Sequence, residues 1–182
     1  MERRAFLKGA AVFPVAGLES FALAEVAAPA GATAIHVVSG GRDRFEEKHT
    51  LGYSTLLFKA TSKETNGGLL MIEHLNLIKG GPPVHIHPHQ DEWFYVMEGK
   101  VVFQVGNTRK TLTAGDSVLG PRGIAHGFCA VGEKPGRMLI SFTPAGKMEE
   151  FFRATAVPNG PKMTPDVFAR YDMKYVGPPL TV

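Results

Sequence analysis

Hydrophobic and polar positions after residue 32 follow no helical period and instead form short apolar runs separated by polar turns. The runs are rich in β-branched and aromatic residues, and glycine, proline, asparagine and aspartate lie between them, which is typical of strands joined by turns. Strands at such short, even spacing predict an all-β sandwich or barrel. The predicted strands are residues 53–60, 69–78, 92–97, 101–105, 109–113, 117–120, 125–131 and 137–143.

A helical pattern is found only near the end of the chain, in residues 147–156 and 165–173. Two short helices are therefore expected, and we expect their aromatic side to be buried while they cap the outside of the barrel. We find no internal repeat in the sequence, so we predict one barrel and not two. The aromatic residues on the buried side are Phe151, Phe152, Phe168 and Tyr171.

The start of the chain has the pattern of a targeting segment. The basic residues Arg3, Arg4 and Lys8 precede the apolar run of residues 9–18, and small residues with A-x-A spacing follow at 22–24. A basic start, an apolar run and small residues at a cleavage site are typical of an export signal. The apolar run is too short to span the ~30 Å hydrocarbon core of a bilayer, so we expect no membrane anchor.

The division of the chain follows from this start. We predict a cleavable export signal over residues 1–24, a flexible leader over 25–32 and the barrel with its helical extension over 33–182. The run RRAFLKG resembles the twin-arginine export signal, although Glu2 stands where that signal usually has serine or threonine. This resemblance implies a bacterial protein that is exported folded, to the periplasm or outside the cell. A mitochondrial presequence or a chance amphipathic start is the alternative.

Composition narrows the class of protein. The chain has 182 residues, of which 44% are apolar and 20% are charged, which is typical of one globular domain. The net charge is only +3 and the basic residues are scattered, so no nucleic-acid partner is expected. The single cysteine, Cys129, excludes an internal disulfide and a multi-cysteine zinc site.

Residues 80–99 read GGPPVHIHPHQDEWFYVMEG and contain three of the seven histidines. The neighbouring prolines favour extended backbone, which places His85 and His87 on one face of a strand. Glu92 opens the next strand, so its carboxylate can approach the two imidazoles, and this donor set suits Mn, Fe, Co, Ni, Cu or Zn. His89 has the same spacing from His87 and is the competing ligand. A polar loop that binds no metal is the alternative.

Other titratable residues leave two interpretations open. His126 begins a predicted strand among apolar residues, where it is either a further metal ligand or a core histidine bonded to a backbone carbonyl. Glu73, on the opposite face of its strand from His74, is either a buried acid that needs a partner or a residue at the barrel rim. His36 and His49 are expected at the surface or at a sheet edge.

Two motifs in the chain resemble those of the cupins. The first cupin motif, G-x5-H-x-H-x(3,4)-E-x6-G, is present except that Gly80 stands one position too near. The second, G-x5-P-x-G-x2-H-x3-N, is present except that Ala130 replaces the final asparagine. The matching residues are His85, His87, Glu92 and Gly99 in the first motif and Gly115, Pro121, Gly123 and His126 in the second.

The cupin resemblance implies a fold and a set of ligands. It covers residues 68–143, and the C-terminal tail resembles that of bacterial quercetinase-like cupins. The implied fold is a single jelly-roll β-barrel with two short C-terminal helices. Cupins often form dimers in which an N-terminal strand crosses to the partner, and residues 33–38 are a candidate for such a strand or for one within their own sheet. The implied metal ligands are His85, His87, Glu92 and His126, which makes His89 a loop residue.

The implied function is that of an exported metal-binding cupin, and the leading hypothesis is a metal-dependent, quercetinase-like dioxygenase. Such an enzyme would act with O2 on a small aromatic or enolisable molecule, with Fe, Mn, Ni or Co as the favoured metal and Zn or Cu as alternatives. Glu92 would serve both as a ligand and as the catalytic proton acceptor.

Two alternatives from other classes are a non-catalytic cupin that binds a small molecule or metal, and a cupin isomerase or lyase. The isomerase or lyase needs a cation in the pocket, for which Arg122 and Arg137 are the nearest candidates. An apolar pocket wall suits a small organic ligand. The expected wall residues are Met71, Phe94, Val96, Phe103, Phe128 and Met138.

Overall fold

The computed structural model describes residues 36–182. Within this range the chain forms two antiparallel sheets and two short α-helices. The predicted export signal, the leader and residues 33–35 lie outside the described residues. Across the described range, neither α-helix has the length and apolar character needed to cross a bilayer.

The strands cross between two sheets in the manner of a jelly roll. One sheet has six strands in the order β1-β2-β3-β10-β5-β8, and the other has five in the order β11-β4-β9-β6-β7. The predicted all-β class, a jelly-roll barrel with two short C-terminal helices, is confirmed. The elements are β1 (His49–Thr50), β2 (Thr55–Ala60), a 3-10 turn (Lys63–Thr65), β3 (Leu70–Leu77), β4 (Pro83–Ile86), β5 (Asp91–Glu98), β6 (Lys100–Val105), β7 (Thr108–Thr113), β8 (Ser117–Gly120), β9 (His126–Val131), β10 (Gly136–Thr143), α1 (Met148–Thr155), α2 (Pro165–Arg170) and β11 (Lys174–Pro179).

The core lies between the inner faces of the two sheets. In the six-stranded sheet, Phe58, Ile72, Ile140 and Phe94 are successive cross-strand neighbours, and none is more than 1% exposed. The ring of Phe94 reaches Phe103 of the other sheet, with 5.0 Å between ring centroids. Because side chains alternate along each strand, the apolar face of each strand points into the core.

The strand β11 is not predicted by the hydrophobic pattern. Gly177, Pro178 and Pro179 fall within it, and proline removes a donor from the strand ladder. The structure tolerates these residues because β11 lies at the edge of its sheet, where it pairs with β4 and places Tyr175 opposite His85. Residues 36–39, which include the described part of the candidate N-terminal strand, form no strand.

The aromatic side chains of the two helices reach the cavity inside the barrel. Phe151 and Phe152 of α1 and Phe168 of α2 are buried, as predicted, whereas Tyr171 is only half-buried. All three buried rings line the cavity inside the barrel. The contact brings the C-terminal segment to the functional site.

Candidate metal centre

Four buried side chains from separate strands meet inside the barrel. His85 lies on β4, and His87 is the first residue after the end of that strand. Glu92 lies on β5, and His126 is the first residue of β9. The register places His85 opposite His126, and β5 lies in the facing sheet. One ligand atom from each of the four residues lies within 4.8 Å of the other three, so together they could hold a metal ion.

Backbone carbonyls fix the orientation of two of the imidazoles. The Nδ1 atom of His85 is 2.8 Å from the Pro83 carbonyl, and the Nδ1 atom of His126 is 2.9 Å from the Ile124 carbonyl. A carbonyl can only accept a hydrogen bond, so each Nδ1 carries the proton and each Nε2 presents a lone pair. The Nδ1 of His87 has no hydrogen-bond partner among the described residues.

The acceptor atoms face one another at short range. The Nε2 atoms of His85 and His87 are 3.1 Å apart, and the Glu92 Oε2 atom is 2.8 Å from the Nε2 of His126 and 3.2 Å from that of His87. Facing lone pairs repel unless a cation, either a proton or a metal ion, lies between them. Three imidazole nitrogens and one carboxylate oxygen are the donor set of a divalent transition metal, so the residues fit such an ion.

The protonation states of the site also suit a metal. Burial alone would raise the pKa of Glu92, but hydrogen bonds from protonated His126 and His87 outweigh it and hold that pKa well below its usual range. Burial would lower the pKa of His126, but the same hydrogen bond with Glu92 raises it, so a proton can take the place of a metal ion between these two groups. Burial, followed by the charges of His87 and His126, lowers the pKa of His85 to about 3. An ionised carboxylate and a neutral imidazole are the forms that ligate metals.

A glycine on β8 makes room for one of the ligands. Gly120 pairs with Glu92, and a Cβ atom at this position would lie 3.1 Å from the ring of His126. Few real Cβ contacts are so short, so a side chain here would push the imidazole away from the cluster. The small residue therefore allows the His126 ring to lie close to β8.

Three of the four candidate ligands, His85, His87 and Glu92, line a largely apolar cavity. Its volume, counted as the space open to the centre of a water-sized sphere, is about 90 Å³, and an apolar space with a few polar groups suits a small organic molecule. The expected wall is only partly correct, because Phe128 lines the cavity whereas Phe94, Val96, Phe103 and Met138 pack in the core instead and Met71 is not on the wall. The apolar wall is formed mainly by Phe128, Ile140, Phe142, Phe151, Phe152 and Phe168.

Comparison with known families matches the part of the chain that contains all four candidate ligands. A family model described as "Cupin domain" matches residues 75–142. Residues 75–142 form a cupin domain.

Two solved structures share the cupin fold. An RmlC-like cupin from Shewanella frigidimarina is 25% identical with a TM-score of 0.52, and the match covers 64% of this chain and 96% of that one. A Streptomyces protein, PAC13, solved with uridine, is 12% identical with a TM-score of 0.53, covering 80% and 93%. The second likeness shows the fold alone. The search of curated proteins finds no match.

Other titratable residues near the candidate site lie outside the cluster. His89 is exposed in the loop between β4 and β5. The carboxylate of Asp91 points away from Glu92 and pairs with Arg122, with 2.7 Å between Oδ2 and Nη2. His49 lies in the edge strand β1, as expected, but is buried rather than at the surface, with its Nε2 atom 3.1 Å from Glu47.

Glu73 is a buried acid and not a rim residue. It is 1% exposed, and its carboxylate pairs with Arg137 and with Lys59. Neither Arg137 nor Arg122 lines the cupin cavity. The cation that an isomerase or lyase would need is therefore not supplied by either of these residues.

Sequence reasoning missed two polar residues of the cavity wall. Tyr53 and His74 line the same space as His85 and Glu92, and the Nδ1 atom of His74 is 2.7 Å from the Ser54 hydroxyl. The alternation along β3 separates His74 from Glu73 but does not say which face is interior. Only the packing of β3 between β2 and β10 decides that His74 faces inward.

Proposed function

We propose that this cupin binds one divalent transition metal through His85, His87, Glu92 and His126, and is a dioxygenase acting on a small aromatic or enolisable molecule. The observation that supports this most directly is the convergence of four acceptor atoms, three of them from residues that line an aromatic cavity. A six-coordinate ion ligated by four protein atoms would keep two positions open, as a catalytic site does and a closed structural site does not.

The residues around the site have separate roles in this proposal. When bound, a divalent ion would supply a Lewis acid with open positions for substrate and O2. The ionised carboxylate of Glu92 accepts the proton of the substrate's enol or phenol. The rings of Phe142, Phe152 and Phe168 hold the substrate and exclude water from it.

The proposed localisation bears on the choice of metal. We propose that residues 1–24 direct export of the folded protein to the periplasm or outside the cell, and these residues lie outside those the structure describes. Copper and zinc displace iron and manganese from nitrogen and oxygen ligands at equilibrium. Folding around the metal before export would preserve Fe, Mn, Ni or Co, so zinc or copper alone in the exported protein would contradict this part of the proposal.

Turnover separates the enzyme from a binding protein. We would load the protein anaerobically with Fe(II), Mn(II), Ni(II) or Co(II), add quercetin or the smaller acetylacetone, and then admit O2 while recording its consumption. The proposal predicts a change in the metal spectrum followed by uptake of about one O2 per substrate consumed. A spectral change with no O2 uptake by any of the metals would instead identify a non-catalytic binding cupin.

A matched pair of variants controls this experiment. His126→Ala removes one proposed ligand and should abolish O2 uptake, whereas His89→Ala changes an exposed histidine of the same loop region and should leave it unchanged. Equal activity in the two variants would show that the O2 consumption does not come from the cluster.

A further inference from the structure

A second polar group borders the cavity, separate from the four proposed ligands. Tyr53, in the loop before β2, and His74, on β3, line the same space as His85, His87 and Glu92. The rest of the wall is mainly aromatic and aliphatic. Polar side chains placed on such a wall usually fix the orientation of a ligand.

The imidazole of His74 has one bonded nitrogen and one free nitrogen. The residue is 1% exposed, and its Nδ1 atom is 2.7 Å from the hydroxyl oxygen of Ser54, which is itself buried. The ring makes no other hydrogen bond with residues 36–182, so its Nε2 has no partner there. An unpaired polar atom in a buried side chain costs free energy until a ligand or water bonds to it.

Burial keeps this imidazole neutral. Desolvation lowers the pKa of His74 to about 4, although the negative charge of Glu92 opposes the shift. A neutral ring donates from one nitrogen and accepts at the other. Since the Ser54 hydroxyl can either donate or accept, the Nε2 atom is able to take either role toward a ligand.

Tyr53 supplies a hydroxyl group on the same cavity wall. Its ring stacks on His74 with an interplanar angle of 5° and 6.1 Å between centroids, and Phe128 packs edge-on against both rings. The phenol makes no hydrogen bond with residues 36–182. Burial, followed by the charge of Glu92, raises the pKa of Tyr53 above its usual range, so the hydroxyl remains protonated and can donate.

We propose that Tyr53 and His74 form a polar anchor that binds a hydroxyl or carbonyl oxygen of the substrate, with Ser54 positioning the His74 ring. This inference rests on the proposed function for the reacting end of the substrate, since the four ligands bind that end. The substrate is therefore a small, flat molecule with two oxygen functions, one at the metal centre and one at the anchor. A molecule with a single oxygen would occupy only one of the two.

The anchor can be tested without the metal. Phenol and toluene have nearly the same shape but differ by a hydroxyl in place of a methyl group, and their dissociation constants can be measured by NMR titration of metal-stripped protein. Tyr53→Phe or His74→Leu should raise the Kd of phenol about fivefold to tenfold, the loss expected for one hydrogen bond. The Kd of toluene should not rise.

Further variants separate the anchor from its alternatives. Tyr95→Phe removes a hydroxyl outside the cavity and should change neither dissociation constant. Ser54→Ala should weaken the binding of phenol less than His74→Leu does. The proposed anchor is contradicted if the wild-type protein does not bind phenol. It is also contradicted if Glu92→Gln weakens phenol binding and Tyr53→Phe does not. Failure of metal loading or of O2 uptake would overturn the proposed function but would not alter this metal-free result.

Discussion

At the scale of single residues, the structure adds orientation to identities that the sequence already indicates. The motif spacing names His85, His87, Glu92 and His126 as a group, and the structure brings the four together. Spacing alone does not give the direction of each ring, because that depends on carbonyls such as those of Pro83 and Ile124. The tautomer of a histidine is set by such partners.

The buried carboxylate of Glu73 gives a prediction about acid stability. Burial would raise its pKa, but hydrogen bonds from Arg137 and Lys59 outweigh it and hold the pKa below its usual range. A group with a depressed folded-state pKa contributes stability that is complete above its unfolded value of about 4.3 and is lost as the pH falls through the folded value. Glu73→Gln should therefore reduce the fall in Tm between about pH 5 and pH 3.

The same variant should lower stability at neutral pH, because two cations lose their partner. We expect a loss of about 1–3 kcal/mol in the free energy of unfolding, measured by urea denaturation. Glu133→Gln, at an exposed position, serves as the control and should leave both the stability and its pH dependence unchanged. An unaltered acid transition in Glu73→Gln would show that another group controls it.

At the scale of elements, the positions of most strands can be predicted from the sequence, but the segments that they contact cannot. The alternating pattern gives β2, β3 and β5 to within two residues of their observed ends, because each has one face in the core. It does not give β11, whose proline and glycine argue against a strand. The role of α1 and α2 at the cavity also escapes prediction, since it depends on contacts between distant segments.

The contact between α2 and β4 gives a prediction at this scale. The ring of Phe168 packs on His85, with 5.3 Å between centroids, and also lines the cavity. Phe168→Ala should destabilise the protein by about 3–5 kcal/mol through the cavity it leaves. It should also speed the release of bound metal to a chelator, because His85 loses the ring that supports it.

The matched control for this variant is Phe45→Ala, since that phenylalanine is 43% exposed. It should cause a small loss of stability and no change in metal release. If Phe168→Ala lowers the Tm but leaves the rate of metal release at the wild-type value, the helix does not support the metal centre.

At the scale of the whole molecule, the predicted order of regions places an export signal before a folded cupin barrel. The barrel is seen in the described residues, whereas the signal remains a prediction from its basic start and short apolar run. Composition and pattern predict the class of fold because each strand of the barrel has its own local alternation of apolar and polar residues. They do not identify the substrate, which depends on side chains such as Tyr53 and His74 that meet only after folding.

The export prediction can be checked by cell fractionation. Replacing both Arg3 and Arg4 by lysine should retain the protein in the cytoplasm of a bacterial host that has the twin-arginine pathway. Arg42→Lys lies outside the predicted signal and should be exported like the wild type. Equal export of the double variant would contradict the twin-arginine assignment.

The central claim, that four side chains of the barrel hold one metal ion, is tested most directly by elemental analysis of purified protein. The account predicts about one divalent transition-metal ion per chain in the wild type and in His89→Ala, and a sharp loss in His126→Ala. A wild-type protein that takes up no metal after reconstitution, or a His126→Ala variant that retains full occupancy, would contradict it.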